Sequence, residues 1–88
     1  MDNVKRRLLT IPKKGERVFI ADTAKVFGEV YIGNDVSIWY NVVIRADVEK
    51  VIIGNYSNIQ DGSVIHVTKD KYPTIIGNYV TIGHSVTL

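Results

Sequence analysis

The stretch Val26-Phe27-Gly28-Glu29-Val30-Tyr31-Ile32-Gly33-Asn34-Asp35-Val36-Ser37-Ile38-Trp39-Tyr40-Asn41-Val42-Val43-Ile44 has an aliphatic residue at every sixth position: Val26, Ile32, Ile38 and Ile44. The step extends back to Ile20, resumes at Ile53, Ile59 and Ile65, and resumes again at Ile76, Ile82 and Leu88. Two intervals depart from six. They are nine residues between Ile44 and Ile53 and eleven between Ile65 and Ile76, which read as insertions of three and five. A second register lies four residues after each aliphatic, at Ala24, Val30, Val36, Val42, Val48, Ser57, Ser63, Val80 and Val86, where side chains are small or β-branched.

Neither an α-helix of period 3.6 nor an alternating strand of period 2 gives this recurrence. A solenoid of short strands does. With three hexads to a triangular coil, each aliphatic points inward and stacks on its counterpart one coil on, about 4.8 Å away. Gly33-Asn34, Gly54-Asn55 and Gly77-Asn78 fall on the same side of successive coils. Both residue types tolerate positive φ, so the repeated pair marks a repeated tight corner. Both insertions fall between the second and third faces, and the expectation is two neighbouring loops projecting there, Ala46 to Ile52 and Val67 to Ile75.

The reading is therefore all-β, a parallel β-helix of about four triangular coils over residues 18–88, preceded by a basic lead-in at 1–17. The stack reads as stopping in mid-helix, with a C-terminal part missing and an uncapped coil that invites association. The lead-in carries Lys5, Arg6, Arg7, Lys13, Lys14 and Arg17 against Asp2 and Glu16, out of a net charge of +2. It has no aromatic residue to stack on bases and no sustained amphipathic pattern, so neither nucleic acid nor a membrane surface is expected as a partner. No apolar run approaches the roughly 20 residues of a membrane span, and the basic start is not followed by an apolar run of signal-peptide length. A cytoplasmic setting is the default. Cysteine is absent, which excludes disulfides and thiolate metal sites.

Three segments carry a more specific pattern. They are Ile38-Trp39-Tyr40-Asn41-Val42-Val43-Ile44-Arg45-Ala46-Asp47, Ser57-Asn58-Ile59-Gln60-Asp61-Gly62-Ser63-Val64-Ile65-His66-Val67 and Thr81-Ile82-Gly83-His84-Ser85-Val86-Thr87-Leu88. Together they resemble the γ-class carbonic anhydrases, of the hexapeptide-repeat superfamily, from about Arg17 onward. The resemblance implies a left-handed helix, against the usual right-handed crossover rule. It also implies a homotrimer with a zinc or iron ion held by three histidines between subunits, hydrating carbon dioxide to bicarbonate. On this basis His66 and His84 match the first and second ligands. The third would stand five residues after the second, just past Leu88, and the expectation for these 88 residues alone is weak metal binding and poor turnover. Gln60 and Asn58 would orient hydroxide and substrate by hydrogen bonds, and Arg45, Asp47 and Asp61 would form ion pairs across the subunit interface. Neither Val48 nor Lys69-Asp70-Lys71-Tyr72-Pro73 matches the acidic proton-shuttling residues that the family often places in its loops.

Counting coils checks part of this without the family. Arg45 should stand one coil above His66, and Asp61 one coil above His84. His66 and His84 then lie at different corners, so a metal shared by both must reach a neighbouring subunit. Each residue also has a plainer reading: the histidines as corner residues, Arg45 and Asp47 as an exposed pair worth little, Asn58 and Gln60 as rungs of an amide ladder, and Trp39 and Tyr40 as outer-face packing at a subunit contact. Two other functions stay open. One is a hexapeptide acyltransferase acting on an acyl thioester, which needs a catalytic histidine in another context. The other is a non-catalytic trimeric assembly or scaffold subunit.

Overall fold

The computed structural model describes residues 11–67 and 72–88. Its nine strands are β1 (Lys13–Lys14), β2 (Phe19–Ile20), β3 (Lys25–Ile32), β4 (Ser37–Ile38), β5 (Val43–Ile53), β6 (Asn58–Ile59), β7 (Val64–His66), β8 (Thr74–Ile76) and β9 (Thr81–Ile82). All pairings are parallel. One sheet is ordered β2-β4-β6-β9 and forms the first face of the solenoid. The other runs β1-β3-β5-β7, with β8 also paired to β5, and bends over the second and third faces.

The register puts the six-residue series into columns. Ile20, Ile38, Ile59 and Ile82 are successive partners, as are Val26, Ile44 and Ile65, and likewise Ile32, Ile53 and Ile76. Ile38, Ile44, Ile59 and Ile65 have no exposed surface. Burying each such side chain contributes about 1.5–3 kcal/mol, so these columns hold the coils together. β1 extends the third-face column upward through Lys14 opposite Ile32.

The Gly-Asn corners recur as expected, but their construction differs from the sequence reading. Positive φ falls on the residue after the pair, at Asp35, Tyr56 and Tyr79, with φ of 56°, 61° and 59°. The asparagines act as acceptors between coils. Asn34 Oδ1 takes the Glu16 N–H at 2.8 Å, Asn55 Oδ1 takes the Asn34 N–H at 2.8 Å and Asn78 Oδ1 takes the Asn55 N–H at 2.7 Å. The glycine is there for space, since a methyl on Gly54 would sit 2.5 Å from Asn78 Oδ1 and 2.6 Å from the Gly77 carbonyl. On the left-handed positions, Arg17 makes a bidentate pair with Asp35 at 2.6 and 2.9 Å, and the rings of Tyr56 and Tyr79 stack at 4.9 Å.

The opposite edge corrects the loop expectation. Residues 46–52 continue as strand within β5 rather than projecting as a loop. The extra residues enter as a register break, with Gly28 opposite Ala46 but Val30 opposite Val51, so residues 47–50 face Glu29 alone. Gly28 sits there at φ 85°, with the Ala46 carbonyl carbon 2.7 Å from where a Cβ would be. Val51, fully buried, therefore takes the small-residue position that counting assigned to Val48, which packs only partly against the core. Of the second expected loop, residues 68–71 lie outside the described residues, and Thr74 and Ile75 are already in β8.

Candidate metal centre

The strand register places the two histidines where coil counting put them. Arg45 is the partner of His66 across β5 and β7, and the His66 N–H bonds to the Leu88 carbonyl at 3.2 Å. The Ser85 N–H bonds to the Asp61 carbonyl at 3.0 Å, which sets His84 directly beneath Asp61. His66 is half-buried at the end of β7, and His84 is exposed in the turn after β9. Asp61 and His66 are five residues apart in sequence with the Gly62 turn, at φ 75°, between them, so the two histidines stand at different corners of successive coils. No group of three or more His, Cys, Asp or Glu converges among the described residues.

The polar residues on the first face form a connected set. Gln60 Nε2 donates to Asn58 Oδ1, and Asn58 Nδ2 donates to Thr81 Oγ1 at 3.1 Å. One coil above, Trp39 Nε1 donates to Ser37 Oγ at 3.1 Å, repeating the same two-residue span. Both hydrogen bonds of the chain Gln60–Asn58–Thr81 fix an amide orientation and leave Gln60 Oε1 as an acceptor for an incoming donor. Thr81 was legible by counting, because it precedes Ile82 as Asn58 precedes Ile59. Thr74, whose hydroxyl donates to the His66 carbonyl at 3.2 Å, carried no such signal, since it lies beyond the insertion.

The charged residues are partly brought together. Arg45 Nε lies 3.3 Å from Asp47 Oδ2 within the same chain, with the arginine side chain 55% exposed. A pair so exposed contributes little to stability. Asp61 is exposed at the corner above His84 and stands apart from that pair. Trp39 lies between Phe19, at 5.0 Å, and Tyr40, at 6.1 Å, forming an aromatic strip on the outer surface of the first coils. A shallow groove of about 310 Å³ on the third face, lined by Lys13, Lys14, Tyr31, Ile52 and Gly54 among others, includes none of the candidate site residues.

The donor set suits a borderline metal such as zinc or iron, because imidazole nitrogen is a ligand both accept.

The chain is 58% identical over 73 residues to a probable carbonic anhydrase of Methanocaldococcus jannaschii, an alignment covering 83% of this chain and 45% of that protein. It is 48% identical over 82 residues to Gamma carbonic anhydrase 1, mitochondrial, of Arabidopsis thaliana, covering 88% of this chain and 30% of that one. The chain belongs with the γ-carbonic-anhydrase-like hexapeptide-repeat proteins. A crystal structure of a hexapeptide transferase family protein from Anaplasma phagocytophilum superposes with a TM-score of 0.79 at 45% identity, covering 86% of this chain and 43% of that one. The solenoid is accordingly the left-handed β-helix of that superfamily. No protein-family model matches the chain. The chain spans less than half the length of these relatives.

Proposed function

We propose that this chain contributes to a metal-dependent carbon dioxide hydration site shared between copies of itself, as a homotrimer, with His66 and His84 as ligands supplied by different subunits. The observation that supports the reading is the register, which sets His66 beneath Arg45 and His84 beneath Asp61, at different corners of successive coils, an arrangement that suits ligands from two subunits. The bound ion, zinc or iron, would lower the pKa of a coordinated water to about 7 and so supply hydroxide at neutral pH.

The remaining roles belong to the chain's own side chains. Gln60, its amide fixed through Asn58 and Thr81, offers Oε1 to accept a hydrogen bond from hydroxide and so orient its lone pair toward carbon dioxide. Asn58 holds that orientation and contributes to bicarbonate placement. Arg45, braced by Asp47, and Asp61 at the neighbouring corner supply charge at the subunit boundary and orient the groups around the ligands. The reading includes a cytoplasmic setting, which fractionation of expressing cells tests.

A complementation assay on the full-length protein tests the shared site. His66→Ala and His84→Ala should each abolish carbon dioxide hydration and stoichiometric metal. Mixed after dissociation and reassembly, the two inactive proteins should recover roughly a quarter of wild-type activity, since that share of contacts in a random cyclic mixture pairs an intact His66 with an intact His84. No recovery with intact mixed oligomers would defeat the reading.

An acyltransferase reading draws support from the hexapeptide transferase family neighbour. Saturable binding of an acyl thioester, without metal, would favour it. A trimer with neither metal nor thioester binding would favour the scaffold reading.

A further inference from the structure

Ser57 and Ser63 are 1% and 0% exposed, in two columns where the coil above has Val36 and Val42 respectively. A hydroxyl among aliphatic side chains is costly unless its bonds are satisfied. Both are satisfied twice. Ser63 Oγ donates to the Gly83 carbonyl at 2.6 Å and accepts the Val86 N–H at 3.0 Å. Ser57 Oγ does the same for the Gly77 carbonyl and the Val80 N–H, at 2.6 and 3.0 Å.

Gly83 and Val86 are the first and fourth residues of the turn that carries His84, with Ser85 at φ 54°. In the equivalent turn of the first coil the Ala24 N–H closes directly on the Ala21 carbonyl at 3.0 Å. In the coil above His84, the Ser63 N–H meets the Gln60 carbonyl at 3.4 Å. The Ser63 hydroxyl thus bridges the ends of the His84 turn from inside the core, in place of the direct bond.

We infer that Ser63 is a positioning residue for His84, an inference that rests on reading His84 as a metal ligand. Without the hydroxyl, the Gly83 carbonyl and Val86 N–H are free to close on each other as Ala21 and Ala24 do. That closure turns the peptide planes on both sides of His84 and re-aims its ring. Ser57 is an internal control, because it bridges a turn carrying Asn78 and Tyr79 in the same way.

The experiment compares Ser63→Ala, Ser63→Thr and Ser57→Ala in the full-length protein. Cobalt(II) titration followed by visible absorption reads affinity and ligand geometry. Histidine ring-carbon NMR shifts of the metal-free protein read the His84 environment. Ser63→Ala should weaken cobalt binding about 10- to 100-fold and change the visible spectrum. Ser57→Ala should change affinity less than about threefold despite a similar loss of stability, and Ser63→Thr, which keeps the hydroxyl, should stay within the same limit. Equal losses from Ser63→Ala and Ser57→Ala, or an unchanged Ser63→Ala, would overturn the inference. If the wild type takes up no cobalt, the metal reading itself fails, and the NMR arm decides: His84 shifts moved by Ser63→Ala and not by Ser57→Ala support Ser63, and unmoved shifts sink it. Should Ser63→Ala not fold, Ser63→Cys, whose thiol is a weak donor, replaces it with the same two outcomes.

Discussion

At the corner built on Gly33, Gly54 and Gly77, successive coils repeat one geometry, whereas at the edge between the second and third faces no two described coils match in length. The corner is held by a ladder in which each asparagine side chain accepts the backbone N–H of the coil above, and by a left-handed residue in each rung. Among the described residues the edge has no such ladder; β5 takes in residues 47–50 through a register break beside Gly28 and resumes its column at Val51. A solenoid can therefore absorb extra chain where coils touch only through strand pairing that can restart. It cannot do so where side chain and backbone interlock from coil to coil.

The largest test of that contrast is a pair of insertions. A glycine inserted between Asn55 and Tyr56 displaces a ladder rung and the Tyr56–Tyr79 stack, and should cost at least about 3 kcal/mol in urea unfolding. The same glycine between Val48 and Glu49 should cost no more than about 1 kcal/mol, since lengthening an edge segment adds little closure entropy. Equal costs would break the comparison. Next is Gly54→Ala, where the new methyl meets the backbone of the coil below and overpacking should cost about 2–3 kcal/mol. Asn55→Ala removes one exposed acceptor from the Asn34 N–H and should cost about 1 kcal/mol by the same measurement.

The smallest effect belongs to the Arg17–Asp35 rung. Hydrogen bonding to the guanidinium, followed by its charge, holds the Asp35 carboxyl below its usual range. A carboxylate with a depressed folded pKa stabilises fully above its unfolded value of about 3.9, and that contribution is lost as the pH falls through the folded value. Asp35→Asn should therefore narrow its stability gap from the wild type as urea melts are taken to lower pH through the acid range. A gap that stays constant into acid would show that the ion pair is not its source.

How far the sequence could be read follows from the same distinction. The aliphatic columns were legible because every coil must fill the same interior with the same size of side chain, so the period survives both insertions. The positions of Arg45 over His66 and Asp61 over His84 were legible for the same reason. The assignment of Val48 to the core failed, because spacing alone cannot say where within an insertion the register resumes. The corner pairs were recognised but their chemistry was not. Gly-Asn suggested left-handed backbone, whereas the glycine is there to clear the neighbouring coil and the positive φ passes to Asp35, Tyr56 and Tyr79, residues with no turn signature in common.

By itself the sequence determined the all-β solenoid, its three-faced columns and which candidate residues share a column, since these depend only on a repeated spacing of side-chain type. Only the tertiary structure decided what each residue does within its column. Whether an asparagine accepts from the coil above, whether a serine in a valine column bridges the turn of His84, and whether an insertion loops out or runs on as strand depend on backbone groups contributed by coils about 20 residues away in sequence. Those partners exist only once the coils are stacked.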